Sequence, residues 1–165
     1  MRHKSMAVLL CTLITPLAAQ AAKVNLTIPI RVPYQAGLNV PNAVLAECEL
    51  ERKFAKYIAS EAKGPYKKVV MNPEVSAATP GHALDIRITQ VLAPGGGKWG
   101  GPKVVAATGT LYSDGQVLGT FTAKRHTRKG RHTCGMLHND VEAMAEDIGD
   151  WLGKPTMDAR LGDAD

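Results

Sequence analysis

The 165-residue sequence predicts an α/β (α+β) domain: a mainly antiparallel sheet of about 4–5 strands with two principal helices and one disulfide. Three observations carry this. Val24, Leu26, Ile28, Ile30 and Val32 alternate without a miss, the period of a strand with one buried face. Leu137, Val141, Met144, Ala145, Ile148, Trp151 and Leu152 recur instead at helical spacing, as one apolar stripe. Cys48 and Cys134 are the two cysteines that remain once an N-terminal leader is set aside.

The leader is residues 1–21. Arg2, His3 and Lys4 make a basic head, Met6 to Ala19 a short apolar core, and Ala19-Gln20-Ala21 a small-x-small exit. That is the form of a secretory signal peptide, and the run is too short and interrupted to span a bilayer. Cleavage is expected after Ala21, with Ala22 as the mature start. Cys11 leaves with the signal. Leu10 stands where a lipoprotein signal needs a small residue, which argues against lipidation. Residues 22–155 then form a single domain, and 156–165 a polar, flexible C-terminal tail. Localisation is expected to be periplasmic or secreted. In such an oxidising space a lone cysteine pair forms a disulfide rather than two buried thiols. The loop it closes is long, worth roughly 4–5 kcal/mol in the chain-entropy model.

The first strand, Val24 to Val32, contains Pro29, which lacks a donor and suggests a sheet edge. Asn42 is placed to cap a helix running to about Ala62, with Leu50, Phe54, Tyr57 and Ile58 on its main apolar face. Gly64-Pro65 stops it. A short strand surrounds Val69, Val70 and Met71. Leu84, Ile86 and Ile88 alternate again, with Asp85, Arg87 and Thr89 facing away. Beyond the glycine-rich Gly95–Gly101 loop, Val105, Ala107, Gly109 and Leu111 alternate with polar or small residues. Ser113-Asp114-Gly115 is a hairpin turn that returns the chain through Val117 to Arg125. These three strands read as an antiparallel meander. Gly153 and Pro155 close the last helix.

Loss of Arg2 and Lys4 lowers the formal net charge of +5 by two, too little to argue for nucleic acid. The candidate binding residues fall in two connections. Lys124, Arg125, His126, Arg128, Lys129, Arg131 and His132 form a basic run at the end of the last meander strand and in the loop leading into the last helix. Their guanidinium, ammonium and imidazole groups suit phosphate or carboxylate, but no aromatic residues interleave for base stacking. Lys98 and Trp99 sit at the tip of the glycine-rich loop, where Trp is a favoured interface anchor. That loop lacks the Walker pattern and joins two strands, so it is not a phosphate cradle. His126, His132 and His138 have no helical ligand spacing, and no metal or cofactor is expected. No serine lies in a G-x-S-x-G elbow, and no catalytic residue is assigned.

The element order, with Cys48, Leu50 and Phe54, the Leu84–Ile88 strand, Thr108-Gly109-Thr110-Leu111, Asp147-Ile148 and Trp151-Leu152, resembles small proteobacterial envelope proteins. The resemblance is to the periplasmic domains of curli-secretion-type lipoproteins and of lipoprotein activators of cell-wall synthases, across most of residues 40–155. It implies action by binding, and no functional residue carries over. The expected function is a non-enzymatic envelope interaction or accessory protein whose partner is an envelope protein or an anionic envelope component. Two alternatives stay open: a small secreted hydrolase of cell-wall or extracellular polymers, and a periplasmic inhibitor or immunity protein.

Overall fold

The computed structural model describes residues 24–95, 101–130 and 132–164. The expected signal peptide lies outside them. The chain runs β1 (Asn25–Pro29), α1 (Asn42–Glu47), α2 (Leu50–Glu61), β2 (Lys68–Asn72), β3 (His82–Leu92), β4 (Lys103–Ser113), β5 (Gln116–Thr127), α3 (Thr133–Gly153) and β6 (Ala159–Gly162). The strands form one six-stranded mixed sheet in the order β2-β1-β3-β4-β5-β6.

The expected meander is present. β3 pairs antiparallel with β4, and β4 with β5. Asp114 and Gly115 both take positive φ, 48° and 85°, the geometry of a two-residue hairpin turn matched to strand twist. The rest of the sheet departs from the expected antiparallel arrangement. β1 runs parallel to β2 and to β3, and β5 runs parallel to β6. Parallel neighbours need a crossover, and the helices after β1 and β5 supply it.

Three further expectations are corrected. β1 is an interior strand, not an edge. Ile30 N–H donates to the Asn72 carbonyl of β2 (3.0 Å). The donor that Pro29 lacks therefore falls on the β3 side, where the ladder has already ended at Thr27 and Ala83. The helix expected from Asn42 to Ala62 is broken: Glu49 takes a left-handed conformation (φ 46°) between α1 and α2, and Asn42 does not cap. Finally, the polar segment after residue 155 supplies β6, whose Ala159 and Leu161 pack against the core.

One face of the sheet carries Leu26, Ile28, Leu84, Ile86, Ile88, Val105, Ala107, Leu111, Phe121 and Ala123 into a single core with Leu50, Phe54 and Ile58 of α2 and Leu137, Val141, Met144 and Ile148 of α3. Gly109 of β4 permits a close approach in this layer: a Cβ there would lie 2.5 Å from the Phe121 ring, which stacks edge-on against Trp151 with centroids 4.9 Å apart. The expected disulfide forms. Cys48, at the end of α1, bonds to Cys134 in the first turn of α3, with Cα atoms 5.0 Å apart. His138 Nε2–H donates to the Cys48 carbonyl at the same junction (2.6 Å). No described helix is long and apolar enough to cross a membrane.

Candidate functional site

The basic run divides in two once folded. Strand alternation turns Arg125 of β5 toward α3, where its Nε and Nη2 donate to the two carboxylate oxygens of Asp147 (2.7 and 2.5 Å). This fork geometry is the strong form of an ion pair, and it raises the Arg125 pKa further. His126 turns the other way and meets Asp163 beyond β6, Nδ1 to Oδ2 at 2.7 Å. Thr127 donates its hydroxyl to Asp140 Oδ1 (2.6 Å). Arg125 and His126 thus hold β5 to α3 and to the C-terminal segment rather than facing solvent unpaired. Their acidic partners, Asp147 in the last helix and Asp163 beyond β6, could not be picked out by spacing alone. Asp140 could have been: it stands in the same apolar stripe as Leu137, Val141 and Met144.

Asp140 is 2% exposed. Burial pushes its pKa up to about 6, while the Thr127 hydroxyl opposes the rise. Its Oδ2 has no hydrogen-bond partner among the described residues.

Beyond Thr127 the picture changes. Arg128, Lys129 and His132 are exposed and have no acidic partner among the described residues, and Lys124 is half-buried on β5. His132 is the residue before α3, whose first turn carries no acidic residue and no side-chain cap. A cleft of about 390 Å³ opens there, beside the disulfide, between Val44, Glu47, Ala93, Gly95, His132 and Thr133. The root of the glycine-rich loop and the end of the basic run, read separately in the sequence, meet in this cleft. Lys98, Trp99 and Arg131 lie outside the described residues.

The second feature is the sheet face turned away from the helices. Asp85, Arg87, Thr108, Thr110, Thr120 and Thr122 project from it. At its β1 end the chain leaves β3 after Thr27 and returns only at Pro33 and Tyr34, opposite Ile88. A cleft of about 440 Å³ fills the gap, with Arg31, Glu51, Glu74, Asp85 and Arg87 on its wall. Burial and the nearby Glu51 carboxylate push the Tyr34 pKa up to about 12. No group of three or more His, Cys, Asp or Glu side chains among the described residues could hold a metal ion.

Together these features define a small disulfide-stapled α/β domain with one helix-covered and one open sheet face. The fold is similar to that of PelC from Paraburkholderia phytofirmans, a dodecamer, at 12% identity over 75% of this chain and 87% of that chain, with a TM-score of 0.50. A point variant of that dodecamer gives 14% identity over the same shares, also at 0.50. A Xanthomonas campestris protein of the DUF330 family is more distant, at 12% identity over 84% of this chain and 86% of that one, with a TM-score of 0.39. At these identities the likeness is one of fold alone. None of these is a curli-secretion-type protein. No protein-family model matches the chain, and no curated protein is similar to it in sequence.

Proposed function

We propose that this protein is a non-enzymatic interaction or accessory protein of the periplasm or the secreted fraction. It would be exported by residues 1–21 and hold an anionic envelope component at its basic end. The observation that carries the reading is the segregation of charge along one segment. Arg125 and His126 have acidic partners, while Arg128, Lys129 and His132 stand exposed beside the N-terminus of the 21-residue α3. The positive end of the helix dipole and the exposed Arg128 and Lys129 side chains act in the same direction on an anion. The Cys48–Cys134 bond fixes the root of this end to α1, so the cations project from a rigid support. The disulfide also suits an oxidising compartment. The resemblance to curli-secretion-type domains belongs to the same reading, since such domains act by binding.

The test is flotation of the mature chain with vesicles containing anionic phospholipid, against purely zwitterionic ones. Binding is expected only to the anionic set. It should fall steeply between 0.1 M and 1 M salt, as the Debye length shrinks from about 10 Å to about 3 Å. Arg128→Ser with Lys129→Ser should weaken it about tenfold or more, at roughly 1 kcal/mol per cation near the surface. Equal binding by the variant, or none by the wild type, would count against the basic end.

A further inference from the structure

We propose that the open face of the sheet is the contact between two copies of this chain, related by a two-fold axis that runs across the strands. The argument rests on register. Arg87 of β3 lies beside Thr108 of β4, Thr108 beside Thr122 of β5, and Thr122 beside Arg160 of β6. Two residues along each strand, Asp85 lies beside Thr110 and Thr110 beside Thr120. Thr120 in turn exchanges hydrogen bonds with Asp158, immediately before β6. The face therefore bears two rows perpendicular to the strands. One reads Arg-Thr-Thr-Arg and the other Asp-Thr-Thr-Asp. They are about 7 Å apart, and each spans about 14 Å from β3 to β6.

A merely solvated face needs no such order, and scattered charges of both signs would serve. Here like charges mark both ends of each row, and the two rows are of opposite sign. A two-fold axis in the plane of contact, lying midway between the rows, lays the arginine row of one copy on the aspartate row of the other. Arg87 then faces the second copy's Asp85, and Arg160 faces the second copy's Asp158. Thr108 and Thr122 meet the second copy's Thr110 and Thr120, so methyl groups and hydroxyls fill the middle. The contact is isologous and closes at two copies. Each Arg87 already has Asp85 of its own strand 3.6 Å away. Association would complete a ring of four alternating charges at the β3 end. Thr108, Thr122 and Arg87 are exposed, and no described helix lies over them. Sheets stack face to face at about 10 Å, a gap that Arg and Asp side chains bridge from opposite sides.

Sedimentation equilibrium of the mature chain tests this. At about 100 μM a Kd of about 10 μM or tighter leaves most of the protein dimeric. Arg87→Asp and Asp85→Arg should each weaken self-association about tenfold or more, because each puts like charges opposite one another. Mixing the two variants should restore association as a heterodimer, since each then offers what the other lacks. Circular dichroism confirms that each variant is folded. If one is not, Thr122→Arg, at an exposed strand position in the middle of the face, takes its place and should also abolish association. Arg128→Ser with Lys129→Ser should leave the dimer intact, which separates this contact from the basic end. A monomeric wild type, an assembly indifferent to Arg87→Asp and Asp85→Arg, or a mixture that stays monomeric would each overturn the proposal. Stoichiometric binding of a hydroxylated polymer that Arg87→Asp abolishes, with no dimer, would also overturn it.

Discussion

Arg125 is the residue on which the sequence and the folded chain disagree most usefully. As part of a basic run it reads as a group for gripping an anion. In the fold its guanidinium forks onto Asp147, with side-chain exposures of 32% and 21%. Its stem lies over Gly162 of β6, where a Cβ would come within 2.7 Å of Nε and 3.0 Å of Cδ. A double-mutant cycle of Arg125→Ala and Asp147→Ala measures what this joint contributes. Exposed pairs contribute about 0.2–1 kcal/mol, and breaking a buried pair costs about 3–5 kcal/mol. A pair at about one-fifth to one-third exposure, with bidentate geometry, belongs between them. Each single variant should lose about 1–2 kcal/mol in urea unfolding, with a coupling energy of about 1 kcal/mol. For a domain of this size that is a fall of about 2–8 °C in Tm. Lys129→Ala, which removes an exposed cation, should change stability by less than about 0.5 kcal/mol. If Arg125→Ala leaves the urea midpoint unchanged and removes binding to anionic vesicles, Arg125 is a ligand-gripping group and the structural assignment fails.

The Cys48–Cys134 bond closes a separation of 86 residues, so Cys48→Ala with Cys134→Ala should lower stability by about 4–5 kcal/mol in the chain-entropy model. Urea unfolding measures the loss. Peptide mapping of unreduced, freshly purified protein should find no free thiol, and two free thiols would refute the bond. Asp140 makes stability depend on pH in a definite direction. Its carboxyl titrates near 3.8 when unfolded and about 6 when folded, so the folded chain holds the proton more tightly. The stability this group contributes is present in full below about pH 4 and is lost as pH rises through 6, on the order of 2–3 kcal/mol in all. Asp140→Asn keeps an acceptor for Thr127 and avoids the buried charge. It should be more stable than wild type at pH 7.5 and no more stable at pH 4. Parallel pH curves for the two proteins would show that Asp140 does not carry this charge burial.

Local pattern determined much of this protein. The Leu84–Ile88 and Val105–Leu111 alternations, the Asp114-Gly115 turn and the stripe from Leu137 to Leu152 appear as β3, β4, the hairpin that joins β4 to β5, and α3, because period and turn chemistry are set by near neighbours. The disulfide was legible because only two cysteines, Cys48 and Cys134, lie outside the first 21 residues. The parallel pairing of β1 with β2 was also within reach, since a strand, a helix and a strand in succession form a crossover unit. What local pattern does not contain is register between distant segments. Nothing near Glu49 signals a left-handed break, and nothing in Ala159–Gly162 marks a strand until β5 lies beside it. The same holds for the chemistry. The arginine and threonine positions were visible, but that Arg87, Thr108, Thr122 and Arg160 stand in one row, and that Arg125 faces Asp147, was decided by strands and a helix brought together from far along the chain. Charges in a sequence have only a sign; their partners follow from distance, and distance is set by the packed core.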